Sequence, residues 1–120
     1  RFERLIVKVR SVNHGRIKER YNPVPNAEEA RHEARLREMP CIGCGRRDVE
    51  LHHTMRPVPG KRWRRDHRFQ VPVCPECHRG VHGIHGIGSE RKWCEANQTD
   101  TGLIAYQLWQ RSEIEEQANG

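Results

Sequence analysis

Long hydrophobic runs are missing from this sequence. Nowhere do about 18 apolar residues follow one another, so no membrane-spanning helix is expected. No charged-then-apolar leader is visible either, and a soluble, cytoplasmic chain without a membrane partner is expected. Aromatic residues are few, with two Phe, two Tyr and three Trp, and only 34% of the 120 residues are hydrophobic. A chain of this size and composition has too little apolar surface for a large core, so an additional staple such as a bound metal is expected. Internal repeats and low-complexity segments are also absent, which excludes solenoid architectures. Acidic charge is in short supply: 16 Asp and Glu face 22 Lys and Arg, for a net charge of +6. That balance favours an anionic partner, nucleic acid first. The excess is basic between residues 40 and 88 and turns acidic from residue 89 onward.

The punctuation along the chain predicts an α+β organisation. Ile6, Val7 and Val9 read as a short edge strand within Phe2–Arg10. Asn13, Gly15, Asn22, Pro23 and Pro25 make a turn-rich connector. Asn26 is placed to cap a helix that carries Glu28 and Glu29 in its first turn and must end by Pro40. Gly83, Gly86 and Gly88 read as a flexible stretch, after which Ser89 and Glu90 start a short helix through Cys94. Asp100 or Thr101 can cap a last helix, on which Leu103, Ile104, Leu108 and Trp109 recur at helical spacing before a polar tail from Ser112. Three segments result: 1–39, packing on the core; 40–88, the functional centre; and 89–120, a helical extension.

Four of the five cysteines and six of the eight histidines fall between residues 41 and 85. Cys41-Ile-Gly-Cys44 and Cys74-Pro-Glu-Cys77 are two C-x2-C pairs. Each can present two thiolates from a tight turn, eased at the first pair by Gly43 and Gly45, and together they complete the tetrahedron that Zn²⁺ prefers. Two disulfides would require an oxidising compartment, and a redox pair needs only one such motif. Cys74-Pro-Glu-Cys77-His78 also fits covalent haem attachment, but that leaves Cys41, Cys44 and the upstream histidines unexplained. Cys94 reads as a small apolar residue on a helix face.

Between the knuckles, Val49 to Thr54 alternates like a strand and ends on His52 and His53, whose side chains leave a strand in opposite directions. His78 and His82 stand at i and i+4, the spacing that lets two imidazoles on one helix share a cation. His14 and His32 read as zinc-serving or solvated surface residues. The order C-x2-C, Leu51-His52-His53, then Val71-Pro72-Val73-Cys74-x2-Cys77-His78 resembles the HNH (ββα-metal, His-Me finger) nucleases. The continuation Gly83-Ile84-His85-Gly86, Gly88-Ser89-Glu90 and the Leu108-Trp109 helix is similar to phage-encoded nucleases of the recombination-enhancement type. The resemblance implies a small zinc-stapled ββα-metal core, flanked by the N-terminal strand and helix and the C-terminal helix. It implies a metal-dependent DNA endonuclease in which His53 is the general base. His52 and His78 become ligands of one catalytic divalent ion, with His82 or alternatively His85 as the third. No Asn stands at the middle position of the motif, so Asp66, His67 or Arg68 must orient the base. It also implies a bacterial or phage-infected cell and a recombination or packaging protein as a further partner.

The chemistry suits these residues. A neutral imidazole near pH 7 can take a proton from water, and a divalent ion stabilises charge on a leaving oxygen. Imidazole ligands favour Zn²⁺, Ni²⁺ or Co²⁺, while Mg²⁺ prefers oxygen, so Mg²⁺, Mn²⁺, Ni²⁺ and Zn²⁺ all remain open as the working ion. Arg56, Lys61, Arg62, Arg64, Arg65 and Arg68, with Trp63 among them, form a basic loop suited to phosphates and base stacking. No recognition helix is visible, so little sequence specificity is expected. The competing readings are a solvated charged loop and a non-catalytic zinc module that binds nucleic acid or protein.

Overall fold

Asn26 begins the order expected of it. Its side chain accepts from the Glu29 backbone N–H while the Glu29 carboxylate accepts from the Asn26 N–H, a reciprocal capping box that opens helix α1 (Ala27–Arg37). The computed structural model describes residues 23–119. The strand expected within Phe2–Arg10, and His14, lie outside the described residues.

Two strands follow, β1 (Glu50–His53) and β2 (Gln70–Val73). They pair antiparallel in the register Glu50–Val73, Leu51–Pro72, His52–Val71 and His53–Gln70. The Thr54 N–H donates to Phe69 O and carries the pairing one step beyond the sheet. Every residue of β2 is buried, as expected of a run of branched residues covered on both faces. Pro72 has no N–H to offer, but its carbonyl accepts from the Ile42 N–H, which ties the first knuckle to this strand.

Helix α2 (Pro75–Arg79) leaves β2 directly, with Cys74 as its N-cap and Pro75 in its first turn, where a missing N–H costs nothing. It is short because the chain doubles back at Gly80. The Ile84 N–H donates to Cys77 O and the His85 N–H to His78 O, so residues 83–85 lie across the helix they have just left. A Cβ on Gly83 would sit 2.6 Å from Glu76 O and 2.7 Å from Cys77 O. Gly83 and Gly86, expected in a flexible stretch, permit close packing of backbone on backbone.

Helices α3 (Glu90–Ala96) and α4 (Thr101–Asn119) complete the chain, capped by Ser89 and Asp100 respectively. The expected polar tail from Ser112 is helical to Asn119, because Arg31 and Arg35 of α1 hold Glu116 through contacts of 2.7 and 2.6 Å. Of the apolar stripe expected on α4, Leu108 and Trp109 are buried with Ala105 and Ile104 is half-buried, whereas Leu103 faces solvent. His32, expected to serve zinc or to lie on a solvated surface, is fully buried between Ser112, at 2.6 Å from its Nδ1, and the Trp109 ring. Burial lowers its pKa to about 4 and keeps it neutral.

The result is a small α+β fold in which α1 and α4 pack on the hairpin and Val71, Val73, Phe69, Trp93 and Trp109 fill the core. Among the described residues no helix is long and apolar enough to cross a membrane.

Candidate functional site

The two knuckles converge. Cys41, Cys44, Cys74 and Cys77 are all free thiols whose sulfurs lie within 4.8 Å of one another, with Cys44 and Cys74 at 3.5 Å. A tetrahedral tetrathiolate zinc site has S–S edges of about 3.8 Å, so these four cysteines could hold a structural metal such as zinc. Backbone N–H groups of Gly43 and Cys77 donate to the sulfurs of Cys41 and Cys74. Burial pushes the Cys41 thiol up, but such backbone donors outweigh it and bring the group down to about 7, whereas burial and the neighbouring thiols push Cys77 up. Trp93 of α3 is buried against this turn. A Cβ on Gly43 would meet Cys77 Sγ and the Trp93 ring, each at 2.9 Å, so only glycine fits there.

A second group forms at the other end of the hairpin. His52 from β1, His78 from α2 and His85 from the returning loop bring ring nitrogens within 4.8 Å of one another. The His78 and His85 Nε2 atoms are 3.2 Å apart, close to the edge of about 3.3 Å expected between two imidazole ligands of one small ion. Each of the first two rings is anchored by a carboxylate on its far nitrogen: His52 Nε2 donates to Glu90 at 3.0 Å, and His78 Nδ1 donates to Glu50 at 2.7 Å. Those bonds leave His52 Nδ1 and His78 Nε2 as the lone-pair atoms, the outer arrangement found around metal-ligating histidines. His85 is held below its ordinary pKa by burial and by the neighbouring rings of His52 and His78.

His82 does not join them. The i, i+4 pairing expected for His78 and His82 requires a helix that continues past Arg79, and the turn at Gly80 ends it, leaving His82 exposed and supplying His85 instead.

Glu50 and Glu90 were not singled out from the sequence. Glu50 precedes His52 by two residues on the same strand, a spacing that could have revealed it. Glu90 carried no such sign, since a Glu at the start of a helix ordinarily serves the dipole. In the fold it is buried and accepts four hydrogen bonds, from His52, Thr54, Thr101 and the Met55 N–H. Burial pushes it up, but those donors outweigh it and hold its carboxyl at about 2.

His53 stands beside this group. Its Nε2 lies 2.9 Å from His67 Nδ1, and the far nitrogen of His67 donates to the Pro23 carbonyl. A carbonyl can only accept, so His67 carries its proton on Nε2, its Nδ1 is an acceptor, and His53 must donate from Nε2. The proton-accepting atom of His53 is therefore Nδ1. Burial, then the neighbouring His67 ring and the Arg65 charge, lower this imidazole to about 4, so it is unprotonated at neutral pH. His52, His53, His78 and His85 line one open cavity of about 700 Å³ together with Arg64 and Arg65.

Of the three residues considered for orienting the base, only His67 touches it. Asp66 is buried, accepts from the Arg62 and Arg68 N–H groups and the Arg68 guanidinium, and pins the loop instead. The basic loop thus divides. Arg68 is committed to Asp66 and Gly60 O and lies over the Phe69 ring, and Lys61 donates to the carbonyls of Thr54 and Arg56. Arg56 and Trp63 are half-buried, Arg62 is exposed, and Arg64 and Arg65 face the cavity. Cys94 is buried against Thr101, the structural part expected of it.

In comparisons with known proteins, no family model and no curated protein sequence matches the chain.

Proposed function

We propose that this chain is a metal-dependent DNA endonuclease of the HNH type, similar to the phage-encoded recombination-enhancement nucleases, that hydrolyses phosphodiester bonds with little sequence specificity. One observation carries the reading: the hydrogen-bond chain from Pro23 O through His67 to His53 leaves Nδ1 as the lone-pair atom of a neutral His53, and His53 lines the cavity that the three-histidine group and two arginines share.

Each residue then has a part. Arg64 and Arg65 hold the phosphodiester through its non-bridging oxygens without reading bases. His53 Nδ1 takes a proton from water as the oxygen attacks phosphorus in line, and His67, as a positioning residue, keeps the ring in the tautomer that can do so. A bound phosphate also offsets the Arg65 charge that depresses His53, so the base strengthens when substrate is present. His52, His78 and His85 would hold the catalytic divalent ion, their outer bonds to Glu90 and Glu50 keeping lone pairs directed inward. When bound, that ion supplies the positive charge against which the leaving oxygen departs. The four cysteines hold a structural zinc that clamps the base of the hairpin to α2. The setting is the cytoplasm of a bacterial or phage-infected cell, with a recombination or packaging protein directing the cut.

Plasmid nicking across Mg²⁺, Mn²⁺, Ni²⁺, Co²⁺ and Zn²⁺ tests this. The wild type should nick with at least one ion, and His53→Ala should keep its cysteine-bound zinc and lose nicking by at least about 100-fold, as removal of a general base does. A fully active His53→Ala would refute the assignment. Two inert proteins would leave a non-catalytic zinc module.

A further inference from the structure

We propose that Glu33, His53 and His67 form a separate site for a zinc-like ion, and that filling it switches off the base. Its effect on cleavage rests on the nuclease reading above; its capacity to bind does not.

The three residues come from different elements. Glu33 lies on α1, His53 ends β1, and His67 closes the basic loop, yet each offers a ligand atom within 4.8 Å of the others. His53 Nε2 and His67 Nδ1 are 2.9 Å apart, and His67 Nδ1 lies 3.9 Å from Glu33 Oε2. A tetrahedral zinc with two imidazole ligands and one carboxylate has edges of about 3.3 Å, so shifts of roughly half an ångström bring the two edges at His67 to coordination, and the Glu33–His53 edge closes from within 4.8 Å. The side chains of His67 and Glu33 are 12% and 15% exposed, so little bulk water competes for these positions.

The surroundings are those of a held ligand set. His67 is fixed from outside by the Pro23 carbonyl, and Glu33 by the Gln70 side-chain amide at 2.8 Å, which also donates to His67 O at 2.7 Å. Two imidazoles and one carboxylate, with a fourth position left for water, is a donor set that suits Zn²⁺ and leaves Mg²⁺ poorly served.

The consequence follows from tautomers. Without an ion, His53 carries its proton on Nε2 and offers Nδ1 to water. An ion at this site needs the Nε2 lone pair, so the neutral ring must carry that same proton on Nδ1. No proton is gained or lost, but Nδ1 becomes a donor and can no longer accept from water. Zinc would therefore inhibit at this site while the three-histidine group is served by another ion.

Equilibrium dialysis of the folded protein against free Zn²⁺, with bound metal counted by elemental mass spectrometry, tests the binding. The wild type should take up three ions per chain and Glu33→Gln two, since the amide still accepts from Gln70 but is a poor ligand. His67→Asn should lose the same ion as Glu33→Gln, and a variant carrying both should lose no further one. Nicking supported by Mn²⁺ should fall at least tenfold in the wild type as Zn²⁺ is added, and should resist Zn²⁺ in Glu33→Gln. Glu33→Gln and wild type holding equal zinc would overturn the site. Loss of that ion with unchanged zinc inhibition would overturn the switch. If no variant nicks at all, the nuclease reading fails while the ion count still decides the site. Retention of the third ion in His85→Ala together with loss of another marks the count as belonging to the Glu33 group.

Discussion

Removing the Glu90 carboxylate tests how far one buried anion organises the site. Four donors converge on it: His52 at 3.0 Å, the Met55 N–H at 2.9 Å, Thr54 at 2.7 Å and Thr101 at 2.5 Å. In Glu90→Ala the two threonine hydroxyls, 3.3 Å apart, can satisfy each other, but the His52 and Met55 donors cannot. Each hydrogen bond to a charged group is worth roughly 1.5–3 kcal/mol, so the two stranded donors cost about 3–6 kcal/mol. That is a large share of the 5–15 kcal/mol typical of a small domain, and the melting temperature should drop by at least about 12 °C. Glu90→Gln behaves differently, because its amide oxygen can face His52 and Met55 while its nitrogen donates to a threonine oxygen. It should cost about 1 kcal/mol. It should nevertheless weaken divalent-ion binding at His52, His78 and His85 by about 10–100-fold, because the carboxylate no longer raises the basicity of the His52 ring. Urea and thermal unfolding give the first quantities, and titration calorimetry with Mn²⁺ or Zn²⁺ on zinc-loaded protein gives the last. An alanine variant as stable as wild type, or a glutamine variant with unchanged ion affinity, would refute the reasoning.

Three other perturbations follow from the same geometry. Gly43→Ala forces a Cβ to within 2.9 Å of Cys77 Sγ and Trp93, and should destabilise the protein by about 1–3 kcal/mol and speed zinc loss to a chelator, read by a colorimetric release assay. His32 is neutral in the fold with its pKa lowered to about 4, whereas in the unfolded chain it titrates near its ordinary value. Its contribution is therefore complete above about pH 6.5 and is lost as pH falls toward 4, reaching roughly 2 kcal/mol by pH 5; urea midpoints at pH 7 and 5 should differ less in His32→Leu than in wild type. Arg65→Ala should lower the slope of log affinity for duplex DNA against log salt by about 0.9, read by fluorescence anisotropy, and an unchanged slope would remove Arg65 from the phosphate contacts.

The parts of the site that depend on short-range spacing could be read from the sequence. Two C-x2-C turns, a capped helix at Asn26 and the His52-His53 strand end each follow from local rules, and the hairpin register then places the two histidines. The third histidine of the group could not be read that way. Whether His82 or His85 approaches His78 depends on where α2 stops, and that depends on Gly80 and Gly83 allowing the chain to lie on its own helix. Glu90 reaches His52 across 38 positions of sequence, and no periodicity links them. The burial of His32 is hidden for a related reason: a histidine among charged neighbours on a helix reads as solvated until α4 is known to cover it. The split within the basic loop was equally hidden, since only the backbone path shows that Lys61 and Arg68 are spent on carbonyls and Asp66 while Arg64 and Arg65 face the cavity.

That split makes the segment between the strands a cassette. It is fastened by Lys61 to the carbonyls of Thr54 and Arg56, and by Asp66 to Arg68 and to the Arg62 N–H. The Arg65 side chain can therefore be exchanged without breaking any of those fastenings. On the nuclease reading proposed above, a side-chain change there would alter what the loop grips while His53 and His67 keep their places.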